Sequence, residues 1–500
     1  MEKLGIRSVF RIWAILGLLA MIVIWFLPWR FQTNDDELMM WLVSGAYTGT
    51  PESYAVFIHP LLSWIFSKLY TLFPEIRWYP LTWFLVMYLG YLVFQFITLK
   101  TQQSKDTTRV WNLFFLALLV HFCFSIQFSI VASFAVTAGL AFRIRKQQSD
   151  GRIFDFYFTD ILILIGSMIR FEILILSLTG CVFLSLLYLA KSIPLKSLLF
   201  PAAFGLGLFL VNLAWLQQNE MKEFVSVNKL RSNVFDHPVL QLNKQGFLDS
   251  NPDLYHFANG LIDFSGDEQL NQKKLLDWKK ELDQRRFQSL STLSLFNSLT
   301  VFIAVEHFLQ GLILLFFGFS LFKNGKRAFY LILIILAGFI LASVFTLLKV
   351  QIYALMLLFV IMNNLLWDQT VPLKKGVSIG FQILLIFAIC YHMVSIFQSQ
   401  VNVIDSNELS QNLLQLNQQG YDLVYLVGKE KYYHQLVFEN PLPFKFLGWP
   451  TLLEASREIP FTDKKAYLID LDTFKANSAY FNQLGFLIEK KGDFVQIVVR

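Results

Sequence analysis

The sequence predicts an all-α, polytopic membrane bundle of about eleven transmembrane helices, with a small α/β unit at its C-terminal end, and three observations carry that prediction. Hydrophobic residues make up 55% of the 500 residues and charged residues only 16%, where soluble domains carry about 25% charged residues. The apolar residues come in long runs, and a helix needs about 20 of them to cross roughly 30 Å of hydrocarbon. Lys and Arg gather in short clusters between those runs, which is how orientation is encoded in membrane proteins. The net charge of +6 therefore concerns topology and gives no indication of nucleic acid.

Taken in order, the spans fall at about 12–28, 81–99, 111–125, 127–142, 154–169, 172–190, 197–216, 297–322, 328–346, 350–366 and 377–397. The first follows Lys3, Arg7 and Arg11 and is followed by no small-residue cleavage site, so it reads as an uncleaved span. The clusters Lys100/Lys105/Arg109, Arg143/Arg145/Lys146/Arg152, Lys191/Lys196, Lys323/Lys326/Arg327 and Lys374/Lys375 occupy every second connection together with the N-terminus. The positive-inside rule places all of them on the cytoplasmic side. Residues 154–190, largely apolar, would make a helix of about 55 Å, too long for one span, so the stretch goes out and returns with its turn at Arg170 and Glu172. Residues 111–142 turn likewise near Ser125 and Gln127, leaving unusually short arms. Cys123, Cys181 and Cys390 lie inside apolar runs and suggest neither a disulfide nor a metal site.

This topology divides the chain into a transmembrane domain, 1–400, with outer loops 29–80 and 217–296, and an extracytoplasmic α/β domain, 401–500. In the first outer loop Asn34, with Glu37 three residues on, can cap a helix from Asp35 to about Ala46; Gly45, Gly49 and Pro51 break it, and Pro60 starts a second helix ending before Pro74. Trp64, Tyr70, Trp78 and Tyr79 suit the headgroup level, so both helices are expected to be interfacial.

Asp35 and Asp36 suit a helix N-terminus, and a carboxylate at the membrane surface can also take a proton from an acceptor hydroxyl. Asp35 is the first choice for such a base, Asp36 the second, and the same pair would hold a divalent cation if one is used. Glu52 and His59 are further candidates, although His59 reads equally well as the terminator of the loop before Pro60. Arg170 either snorkels to the surface or uses its planar guanidinium on a phosphate. Glu172, two residues on, is not expected to share its helical face.

The second outer segment is polar and helix-rich, with no metal-ligand spacing and no Gly-rich phosphate loop; Arg231, Asp236, His237, Asp263 and Trp278 stand out. Arg231 could supply a second phosphate contact and Trp278 a face for a sugar ring, against the reading of most charges here as a solvated surface. Lys349 sits at the outer mouth between spans nine and ten, where a charge is costly unless it is used or snorkels. In the tail, YDLVYLVG and KKAYLIDLD read as strands, KYYHQLVFEN and FKANSAYFNQLG as helices, and FLIEKKGDFVQIVVR as a hairpin. No nucleophile elbow or Walker loop accompanies them, so the tail reads as structural or acceptor-positioning.

At NDDELMMWLVSGAYTGTPE (34–52) and HPLLSWIFSKLY (59–70) the chain resembles bacterial GT-C-type glycosyltransferase-like membrane proteins, including ones similar to O-antigen glucosyltransferases. The resemblance continues through MIRFE (168–172), NKLRSNVFDHP, LLDW and FLGWP (446–450). It implies a GT-C-like fold in a bacterial cell membrane, a polyprenyl-phosphate-linked sugar donor, and an extracytoplasmic glycan, glycolipid or protein acceptor. It also implies Asp35 or Asp36 as the catalytic carboxylate and Arg170 and Arg231 as donor-phosphate contacts. The acidic residues are adjacent here, where several branches space them as Asp-x-Asp or Glu-x-Asp, which leaves use of a divalent cation open. Gln351 stands at the outer end of span ten where similar proteins carry an arginine. A flippase or transporter of lipid-linked glycans is the alternative, for which charges or broken helices at mid-membrane are expected and the span centres are nearly charge-free. A non-catalytic homologue serving as an assembly subunit stays open as well.

Overall fold

A computed structural model of the chain describes residues 2–27, 29–101, 104–150, 156–185, 194–218, 221–262, 270–286, 292–366, 373–398, 406–421, 423–427, 444–456, 465–483, 487–491 and 494–498. Each of the eleven apolar runs is mainly helical over its described residues, because in lipid a backbone must satisfy its own hydrogen bonds. Seven helices are long and apolar enough to cross a membrane: Gly5–Trp25, Trp78–Lys100, Lys105–Phe124, Phe128–Gln147, Leu195–Gln218, Ala328–Phe345 and Lys375–Phe397. Leu295–Val305 and His307–Lys323 make an eighth if they form one span bent by 105°. Asp160–Ile169, Phe171–Phe183 and Val350–Leu366 are shorter apolar helices, so length supports seven or eight full spans among the described residues where eleven were expected. The chain is a multi-pass membrane protein.

The arms on either side of Ser125 are not short. Lys105–Phe124 and Phe128–Asp150 extend past the apolar runs into polar flanks. Arg143, expected in an inner basic loop, is instead fully buried, with Nη1 donating to Asp160 Oδ2 at 2.7 Å and Nε to the Ser197 carbonyl at 2.9 Å. That pairing offsets the cost of burying the charge. A helical run extends from His307 to Phe345, about 58 Å if straight. Yet Tyr353 stacks both on Phe302, just before its start, and on Phe339 near its end, at 3.9 and 4.9 Å between centroids. The run therefore folds back on itself.

After the first span, Arg30–Phe31 pairs in parallel with Ser125–Ile126, the break between two buried helices. This short ladder sets the start of the Asn34–Ser44 helix. The helix departs from the sequence reading in two ways. Thr33, not Asn34, is its N-cap, and no side chain caps it, so the Asn34/Glu37 box does not form. Its residues 36–43 are all buried, as are Tyr70 and Tyr79, so this is a core element and not an interfacial one. Gly45 ends it at φ +85°, where a Cβ would come within 2.9 Å of Thr50 and Pro51, so both conformation and space require glycine. The Pro60–Leu72 helix follows, N-capped by His59.

In the second outer segment, Lys222–Phe235, Pro238–Leu242, Pro252–Ala258 and Gln272–Arg286 pack around their own core of Leu240, Leu254, Leu275 and Trp278. In the tail, five strands form one sheet in the order Lys445–Phe446, Leu423–Val427, Lys465–Asp470, Phe494–Val498, Leu487–Lys491. The first three are parallel and the last two antiparallel, including the expected hairpin. Leu471–Ala476 and Ser478–Gln483 are helical as expected; KYYHQLVFEN lies outside the described residues. The sheet edge docks on the acidic helix: Phe446 stacks on Trp41 at 5.6 Å, and the Lys445 ammonium lies 3.8 Å from the centre of the Tyr47 ring.

Candidate functional site

Where these parts meet is a cavity of about 730 Å³. The start of the acidic helix contributes Asp35, and the ends of two membrane helices contribute Gln127 and Arg170. The polar segment 222–262 supplies Arg231, Asp236 and Asn259, and Lys349 and Gln351 come from the turn before the Val350–Leu366 helix and from its first residues. The tail closes the cavity with Trp449, Asp472, Thr473 and Asn477.

The two adjacent aspartates face opposite ways, because successive residues in a helix turn by about 100°. Asp35 lines the cavity half-buried, and its Oδ1 accepts the Trp449 indole N–H at 3.0 Å. Burial raises its pKa above the ordinary carboxylate range, opposed by that hydrogen bond and by Lys349 and Arg231, while Asp236 adds to the rise. Asp36 is fully buried behind it. It accepts from the Tyr79 hydroxyl at 3.0 Å, the Phe128 backbone N–H at 3.1 and 3.2 Å, and the Thr33 hydroxyl at 3.3 Å. Burial pushes its carboxyl up to about 8. Asp36 thus ties the acidic helix to the Ser125–Phe128 break, and the pair does not present two carboxylates to one ligand. Among the described residues, no group of three His, Cys, Asp or Glu could hold a metal ion.

The cations surround Asp35. Lys349 Nζ donates to Asp236 Oδ1 at 3.0 Å, and the Ser232 hydroxyl donates to Oδ2 at 3.3 Å. Arg231 Nε donates to Asn228 Oδ1 at 3.0 Å, and burial lowers its pKa without threatening a charge that guanidinium keeps in proteins. Arg170 sits between Asp160–Ile169 and Phe171–Leu184 in extended backbone, φ −151°, ψ 102°, with its guanidinium 5.1 Å from the Phe128 ring. That non-helical geometry lets Nε reach Glu172 at 3.5 Å, a pairing that helical phase argued against. Gln351 accepts from Gln127 Nε2 at 3.3 Å.

Asp35, Arg170, Arg231, Asp236 and Lys349 are thus brought together, while the other sequence candidates are not. Glu52 lies off the lining, its N–H bonded to the Leu42 carbonyl at 2.9 Å. His59 is locked by Leu61 N–H on Nδ1 and by the Leu208 carbonyl at 3.0 Å from Nε2. Glu172 points to solvent. His237 Nδ1 accepts the Val239 N–H and so caps the Pro238–Leu242 helix, and its Nε2 lies 2.6 Å from Arg286 Nη2; burial and that charge push it down to about 4. Trp278 is buried in the second outer core against Phe257, with no face free for a sugar. Asp263 lies outside the described residues. Trp449, Asp472, Thr473 and Asn477 were not read as site residues; only the FLGWP string hinted at the first.

No family model matches the chain, and no curated protein matches it. A solved structure that does match is ArnT from Cupriavidus metallidurans bound to undecaprenyl phosphate, 14% identical, with 97% of each chain covered. Its TM-score is 0.39, a superposition too loose to carry an inference.

Proposed function

We propose that the chain is a GT-C-type membrane glycosyltransferase that moves a sugar from a polyprenyl-phosphate-linked donor to an extracytoplasmic glycan, glycolipid or protein. The observation that carries the reading is the convergence of Asp35 with Arg170, Arg231 and Lys349, from four distant segments, on one cavity, where a multi-pass bundle meets two polar segments. Asp35 takes the proton of the acceptor hydroxyl as that oxygen bonds to the anomeric carbon. The bond from anomeric carbon to phosphate oxygen breaks with its electron pair on the phosphate, which departs on the polyprenyl chain. Arg231, Lys349 and Arg170 stabilise the charge gathering there, in a site where burial strengthens each interaction. Trp449 orients Asp35, and Asp472, Thr473 and Asn477 give the tail an acceptor-positioning role.

Composition analysis of the envelope glycans of a deletion strain tests the reading. The parent gene restores a missing sugar and the Asp35→Asn gene does not, at equal protein level; restoration by Asp35→Asn refutes the assignment.

A further inference from the structure

A second cavity, of about 540 Å³, lies on the other side of the Arg30–Phe31/Ser125–Ile126 ladder from the first. Arg30 and Ser125 line it, whereas Thr33 and Gln127, two or three residues further on, line the first cavity. Its inner end is polar. Glu306, at the 105° break, has Oε1 held by Gln32 Nε2 at 2.9 Å and Oε2 3.5 Å from His121 Nε2. His121 Nδ1 in turn lies 3.2 Å from His392 Nε2, whose ring stacks on Phe308 at 3.7 Å. The carboxylate is thereby occupied, while Arg30 is exposed and makes no ion pair among the described residues. The outer end is apolar and exposed: Val305, Phe387 and Tyr391 line the cavity and are 63, 68 and 66% exposed, the first on one arm of the bent pair and the other two on Lys375–Phe397, a helix long and apolar enough to span the membrane. A ligand entering there comes from the bilayer and must carry an apolar tail.

We propose that this cavity binds a membrane lipid through its phosphate headgroup, with Arg30 as the principal contact and the tail leaving between Val305 and Phe387. The volume lies within the range of small-molecule sites, about 300–1,000 Å³. The chemistry is a permanent guanidinium at the polar end of an amphiphilic slot, and it stands apart from the sugar-transfer reading.

The test titrates purified full-length protein in neutral detergent with dioleoylphosphatidic acid, dioleoylglycerol and inorganic phosphate, counting bound lipid by native mass spectrometry. An Arg170→Gln/Arg231→Gln/Lys349→Gln background removes the three cations assigned to the donor phosphate in the first cavity, so failure here is distinct from failure of the transferase reading. One phosphatidic acid is expected to bind, about tenfold more weakly in Arg30→Gln, the loss of one charge-assisted contact. Gly311→Leu is expected to abolish binding without unfolding the protein, because Gly311 lines the cavity in mid-helix and a Cβ there meets nothing within 4 Å. Equal binding of dioleoylglycerol, indifference to both variants, or displacement by inorganic phosphate alone overturns the proposal.

Discussion

The first turn of the acidic helix has two sides, and the same residue type does different work on each. On the cavity side Asp35 faces cations and one indole; on the core side Asp36 is consumed by a hydroxyl and a backbone N–H from two other elements. Burial raises the pKa of both. On one side that yields a base poised closer to neutrality, and on the other a carboxyl that serves as a hydrogen-bonding tie. Perturbed titration alone does not identify a catalytic group; what the group faces does.

The largest expected effect that could break this contrast is on activity. Asp35→Asn should lower the transfer rate by about 10²- to 10⁴-fold, the range for a lost general base, while Asp36→Asn keeps the amide oxygen as acceptor and most of the rate. Next, Arg231→Gln or Lys349→Gln should each cost about 10- to 100-fold in kcat/KM, the loss of a charged hydrogen bond to phosphate. On the core side the readout is stability: Asp36→Ala orphans the Phe128 N–H and the Tyr79 hydroxyl, at about 1–3 kcal/mol each, and lowers the unfolding midpoint.

The smaller effects sharpen the comparison. Trp449→Phe removes a hydrogen bond that holds the Asp35 pKa down, so the acid limb of the pH–rate profile should move to higher pH. For Asp36 the linkage has the opposite consequence. Its folded pKa of about 8 lies above the ordinary aspartate value of 3.8, so the folded state binds more protons between those values and stability falls as pH rises from about 4 to 8. Asp36→Asn should flatten that slope in thermal melts, and an unchanged slope would assign it to other groups.

Much of the site was legible because charge is scarce in this chain. Arg170 and Lys349 could be singled out by position, Arg231 only as one of several charges in a polar segment, and hydropathy located the apolar helices. What sequence could not supply was rotation and long-range partnership. Whether Asp35 or Asp36 faces the cavity depends on helix phase, set by the ladder between Arg30–Phe31 and Ser125–Ile126. Trp449 meets Asp35 from 414 residues away, and Gln32 meets Glu306 from 274; no local pattern announces either pair. The expected span count exceeds the seven or eight found among the described residues where short apolar helices, such as Asp160–Ile169, have the composition of a span without its length.

The most direct test is one sample of purified Asp35→Asn protein in liposomes, assayed both for binding of a polyprenyl-phosphate-linked sugar and for its transfer. The account predicts donor binding at least as tight as in the parent, since one negative charge near the phosphate is gone, together with loss of transfer. Transfer at the parental rate would contradict it.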